Sequence, residues 1–183
     1  MQEIQLQTMK SPKLILITGL PGSGKTTFAR ALSAALDIKH LNSDIIRKNI
    51  GRWGNYSPTS KSVVYANLLR EAEACLERDE SVIVDATFYT KLLRDPYEQL
   101  AKQYHVPIVW IELLADEEVI RQRVSYHRPD SEADFDVYLK LKADYEPLDV
   151  PHLAIASDHA CIGKMVGAAK NYLNLFEIPT FHG

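Results

Sequence analysis

Short apolar runs that end in polar residues alternate along the chain with longer stretches whose apolar positions recur every three or four residues. The runs predict strands near residues 13–18, 38–42, 81–85, 106–114 and 152–156. Between them, Phe28, Leu32, Ala35 and Leu36 mark one helix face, and Val64, Leu68, Ala72, Cys75 and Leu76 a second. Ile162, Met165, Val166, Ala169, Tyr172 and Leu173 mark a third. Ser57 before Pro58 has the form of an N-cap followed by proline at the first helical position, and Asp116 with Glu117 and Glu118 marks another helix start. Such alternation predicts an α/β fold in three layers, a parallel sheet with helices on both faces. Ligands of these sheets collect at the carboxyl ends of the strands, so the polar residues just after each apolar run are the ones to examine.

The first run, Leu14 to Ile17, leads directly into Gly19 to Thr27, G-L-P-G-S-G-K-T-T, which fits G-x-x-x-x-G-K-[ST]. At average residue frequencies the four fixed positions arise by chance in roughly one chain of this size in a hundred, or fewer. The strand before and the helical spacing after supply the context that the motif needs. Gly19, Gly22 and Gly24 permit the backbone to turn successive N–H groups onto phosphate oxygens, and Pro21, Ser23 and Thr27 complete the cradle. Lys25 then offers an ammonium to the β and γ phosphates, and Thr26 a hydroxyl to Mg²⁺. The start of the following helix aims its positive end at the same anion.

Three later segments fall at strand ends. After the second run, Asp44 and Arg47 stand three residues apart on one side of a helical turn. A carboxylate with a reference pKa of about 3.9 is ionised at neutral pH and can take the proton of an attacking hydroxyl. An adjacent arginine can hold an anionic acceptor. The same residues also read as a helix cap and a solvated surface charge, and the segment alone does not separate the two. Asp85 ends the third run, where an acid either orients Mg²⁺ or caps the next helix, and Thr87 follows as a group for a phosphate, an acceptor or a cap. After the fourth run Arg121, Arg123 and Arg128 lie in a helix, either as cations for a transferred phosphoryl group or as ordinary helix-face charges; Arg123 and Arg128 are the favoured pair. The polar stretch from about 47 to 61 contains Trp53 and Tyr56 among cations, suited to an anionic ligand with a flat ring, or else to an exposed loop whose tryptophan packs on the core.

Composition narrows the classes. The 183 residues are 46% hydrophobic, enough for one domain with its own core. With 21 basic and 24 acidic residues the formal charge is −3, so an anionic partner needs a local patch rather than a global field. Cys75 and Cys161 read as packing residues of a reducing compartment. The first twelve residues lack a signal-peptide pattern and no apolar stretch is long enough for a membrane span, so a cytoplasmic protein without membrane partners is expected. One domain over 13–175 is expected, with an extension over 1–12 and a tail over 176–183. The pattern carries no signal for oligomeric state or for adenine over guanine.

Taken together, G-L-P-G-S-G-K-T-T, S-D-I-I-R, V-I-V-D-A-T, the Arg-rich helix and S-E-A-D-F-D-V-Y-L-K-L-K-A-D-Y-E-P-L resemble the ATP-dependent kinases related to polynucleotide 5′-hydroxyl kinase, the AAA_33-like and zeta-toxin-like P-loop kinases. The likeness covers about residues 13–175. It implies a P-loop NTPase fold of five parallel strands with a short lid, here at about 124–136, and ATP with Mg²⁺ as cofactors. Matched by position, it implies Lys25 and Thr26 at the phosphates and Mg²⁺, and Asp44 as general base. Arg47 is then at the acceptor, Asp85 at the metal, and Arg123 or Arg128 at the transferred phosphate. The acceptor it implies is a hydroxyl, first a polynucleotide 5′ end, with a sugar, nucleoside or antibiotic as the alternative. No attached phosphatase or ligase segment is expected from these residues, an expectation that counts against nucleic-acid repair. A nucleotide-dependent switch with slow hydrolysis is the expectation from another class, and the Asp44 and Arg47 pair speaks against it.

Overall fold

A computed structural model describes residues 11–52, 54–55, 57–126, 133–158 and 160–177. Its strands are β1 (Leu14–Thr18), β2 (Lys39–Asn42), β3 (Val82–Asp85), β4 (Ile108–Leu114) and β5 (His152–Ala156), each within about two residues of its sequence expectation. They form one parallel sheet in the order β2-β3-β1-β4-β5. The helices are α1 (Lys25–Leu36), α2 (Ser43–Asn49), α3 (Pro58–Leu76), α4 (Lys91–Gln103), α5 (Glu117–Ser125), α6 (Phe135–Ala143) and α7 (Ile162–Asn174).

Alternation along the central strand divides the core. Leu14 and Leu16 point to one face and pack with Val64, Leu68 and Cys75 of α3 and Tyr97 of α4. Ile15 and Ile17 point to the other, against Phe28 and Leu32 of α1 and Met165 and Ala169 of α7. All five β1 side chains, Thr18 included, are fully buried, as expected for a strand covered on both faces. Ser57 caps α3, its hydroxyl accepting from Ser60 N at 3.3 Å, with Pro58 at the first helical position.

Three positions, Ala35, Cys161 and Ile162, depart from expectation. Ala35 is exposed, and Ala29 joins Phe28 and Leu32 on the buried face of α1, while Leu36 still packs against the core. Ile162 and Cys161 open α7 and are exposed, so Cys161 is not a packing residue; only Cys75 is buried. Arg121 faces outward, ion-paired to Glu117 at 3.4 Å and stacked over Phe135. Among the described residues no helix is long and apolar enough to cross a membrane.

Candidate active site

β1, β2 and β3 end level with one another: parallel pairing sets Ile17 and Asn42 opposite Asp85. Just beyond β1 the chain turns through Gly19, Gly22 and Gly24 at φ of 141°, 81° and 89°, the left-handed region that glycine alone enters freely. Close approach adds to this at Gly19, where a Cβ would lie 2.4 Å from the carbonyl oxygen of Leu113. Gly19→Ala should therefore cost roughly 2–4 kcal/mol of stability, from a strained φ plus a clash with fixed backbone, read as a lowered urea midpoint.

Gly24 is the N-cap of α1, and among the described residues no side chain caps that end. The first N–H groups of α1 and its positive end thus face the loop, the arrangement suited to an anion. Lys25 Nζ donates to Leu20 O at 3.0 Å, folding its ammonium across the loop. Ser23 is 1% exposed, and its backbone carbonyl accepts from Ser157 Oγ at 2.7 Å.

Beside the loop lies a compact polar cluster centred on Asp85, which is 1% exposed. Its Oδ2 accepts from Thr26 Oγ1 at 2.8 Å and from Asn42 Nδ2 at 2.6 Å, with His40 Nε2 at 3.4 Å. Burial acts to raise the Asp85 carboxyl, but the His40 contact, the Lys25 ammonium and the Thr26 hydroxyl outweigh it and hold the group below its ordinary 3.8. A depressed folded-state pKa contributes stability above the unfolded value, lost as pH falls through the folded one. Wild-type protein in chelator should thus lose urea stability below about pH 4, and Asp85→Asn should lose less over the same interval. Asp85 is not a helix cap: the N-cap of α4 is Thr90. A hydroxyl beside an ionised carboxylate is a fitting donor set for a hard divalent cation such as Mg²⁺ that takes its other ligands from phosphates and water. In keeping with that, the described residues hold no group of three or more His, Cys, Asp or Glu side chains that would form an all-protein cage.

The Asp44 and Arg47 alternatives separate clearly. Asn42 caps α2, its Oδ1 accepting from Asp44 N at 3.0 Å and Ile45 N at 2.9 Å, so Asp44 is not the cap. Arg47 is 4% exposed rather than solvated. Both line a cavity of about 680 Å³ with Lys25, Thr26, Asp85 and Thr87. The Thr87 carbonyl accepts from Thr18 Oγ1 at 2.5 Å, which anchors the chain after β3.

Arg123 also lines the cavity, held by three bonds: Nη1 donates to Gly22 O at 3.2 Å and Ser157 Oγ at 2.9 Å, and Nη2 to Ser157 O at 2.8 Å. It thereby ties the loop to the end of β5. Arg128, Trp53 and Tyr56 lie outside the described residues. Residues the sequence reading passed over are His40, Asn42, Lys61, Tyr65, Tyr89 and Ser157. Asn42 and Ser157 follow apolar runs at strand ends and were open to the strand-end rule; the others carry no local signal.

A sequence-family profile described as an AAA domain, AAA_33, matches residues 14–148. The L-seryl-tRNA(Sec) kinase of Methanococcus maripaludis is 33% identical over 115 residues, 60% of this chain and 44% of that protein. The bifunctional polynucleotide phosphatase/kinase of Schizosaccharomyces pombe is 24% identical over 109 residues, 60% of this chain and 23% of its own length. Against the first curated relatives, uncharacterised mycobacterial proteins, the chain spans about a quarter of their length (26%). A solved putative kinase from Chloroflexus aurantiacus superposes with a TM-score of 0.71 at 20% identity, covering 92% of this chain and 99% of that one, which shows a shared fold.

Proposed function

The chain belongs to the AAA_33 family, and we propose that it is an ATP-dependent kinase that transfers the γ-phosphoryl group, with Mg²⁺, to a hydroxyl acceptor. The observation that carries this reading is that Asp44 and Arg47 line the same cavity as Lys25 and Thr26, so a carboxylate and a cation face the phosphate loop across one space. A nucleotide switch has no need of that pair.

In this mechanism the loop N–H groups and Lys25 hold the β and γ phosphates, and Thr26 and Asp85 hold the metal. Mg²⁺ when bound supplies charge neutralisation at the phosphate oxygens. Asp44 takes the proton of the acceptor hydroxyl as its oxygen bonds to the γ-phosphorus; the bond to the β,γ-bridging oxygen breaks, and ADP leaves with that electron pair. Arg47 orients the acceptor. Arg123 braces the phosphate loop through Gly22 and Ser157 while facing the cavity.

For the acceptor, a polynucleotide 5′-hydroxyl ranks first, supported by the relative named as a polynucleotide phosphatase/kinase. A small alcohol is the second reading, favoured by the cavity volume of about 680 Å³, within the range of sites for single small ligands. A labelled-ATP transfer screen over 5′-hydroxyl oligonucleotides, sugars and nucleosides tests both. Oligonucleotide transfer should weaken steeply with salt, and transfer to a neutral alcohol should respond little. ATP hydrolysis that persists without acceptor and leaves no phosphorylated product would overturn the kinase reading in favour of the switch.

A further inference from the structure

Helix α3 and the segment after β3 contribute Lys61, Tyr65, Thr87 and Tyr89 to the lining of the cavity. Lys61 Nζ donates to Tyr89 Oη at 3.1 Å and lies 4.6 Å from the centre of that ring. Helix energetics do not explain this lysine. It sits in the first turn of α3, where the positive end of the helix disfavours a cation. Among the described residues no carboxylate lies within ion-pair distance of it.

The segment that carries its partner is strained. Phe88 has φ of +47°, the left-handed region that a bulky side chain enters at a cost of roughly 1–3 kcal/mol. The strain is held by packing: Phe88 is fully buried, edge-on to Tyr65, Tyr97 and Trp110 with ring centres 5.0–5.6 Å apart. Its N–H donates to Tyr65 Oη at 3.1 Å, and the Tyr89 carbonyl accepts from Glu146 N at 2.8 Å. The chain is thus turned and pinned on both sides so that Thr87 and Tyr89 rim the cavity. Burial pushes the Tyr65 phenol above its ordinary 10.0, which keeps its proton available for donation.

We propose that Lys61, held over Tyr89, is the cation that sets acceptor specificity in this cavity, and that the acceptor alcohol bears a phosphate which this ammonium takes up. The proposal rests on the kinase reading above for the word acceptor. Among the described residues the cavity lining carries Lys25, Arg47, Lys61 and Arg123 against Asp44 and Asp85, a balance matched to anions although the whole chain is acidic. A small phosphorylated alcohol and a nucleic-acid backbone share this chemistry.

The test is calorimetric titration of protein saturated with Mg²⁺ and a non-hydrolysable ATP analogue, so that the donor half is filled. The probes are glycerol and glycerol phosphate, thymidine and its 3′-phosphate, and a short 5′-hydroxyl oligothymidylate. At least one phosphorylated probe should bind about tenfold or more tighter than its parent alcohol. Lys61→Gln should abolish that preference without affecting the parent, and Lys61→Arg should keep most of it. The phosphorylated probe that binds tightest identifies the source of the phosphate. Equal affinities within every pair, absence of binding included, or a preference that survives Lys61→Gln would overturn the proposal. Because the readout is binding, failure of the transfer screen leaves this result standing, and loss of the phosphate preference leaves transfer to neutral alcohols open.

Discussion

Lys25→Ala is expected to lower phosphoryl transfer by about 10³-fold or more, the scale on which removal of a cation facing the transferred charge is felt. Lys25 is the first residue of α1, and its ammonium folds over the loop to Leu20 O. The other lysine of the described cavity lining, Lys61, belongs to α3 and bonds Tyr89 instead. Phosphoryl transfer from ATP offers little covalent work to the protein, so positioning and charge are most of what can be removed. Lys25→Arg should rescue poorly, since a planar fork does not replace a compact point charge in a tight loop. Single-turnover assays with labelled ATP, beside thermal melts that establish folding, read this out. Transfer within tenfold of wild type would remove Lys25 from the assigned role.

Asp44→Asn is the second large effect, an expected loss of about 10²- to 10⁴-fold in transfer. Affinity for the nucleotide should change little, because Asp44 lies on α2 and the proposed phosphate site is built from the loop after β1 and the start of α1. The substitution is conservative for the fold as well. The α2 cap is Asn42, whose Oδ1 holds both Asp44 N and Ile45 N, so the first turn keeps its own anchor. The expected signature is a fall in kcat with nucleotide binding intact, measured by titration of the analogue and by turnover at saturating ATP. Unchanged transfer would sink the assignment of Asp44 as base.

The fold was legible because its information is local. A run such as Leu14 to Ile17 is apolar on both sides, short and flanked by turn residues, which reads as a strand buried on two faces, and the helix of Val64, Leu68 and Cys75 repeats at helical spacing. The phosphate loop was legible for the same reason: its three glycines take positive φ within six residues, and Lys25 and Thr26 follow by covalent sequence alone. Ala35 and Cys161 were misplaced because periodicity marks a helix face without showing which of its positions a neighbouring element covers.

What the sequence determined by itself, then, is the strand set, the loop and the residues that the chain carries to each strand end. The tertiary structure alone decided which of them meet. Only the order β2-β3-β1-β4-β5 sets β3 between β1 and β2, and so brings Asp85 within 2.8 Å of Thr26 and 2.6 Å of Asn42, residues 59 and 43 positions away. Only burial separates Arg47 from an ordinary surface arginine, and only the turn at Phe88 sets Tyr89 under Lys61, 28 positions apart. Periodicity reports which side a residue faces along its own element; contacts between elements depend on sheet order and crossovers, which no local spacing encodes.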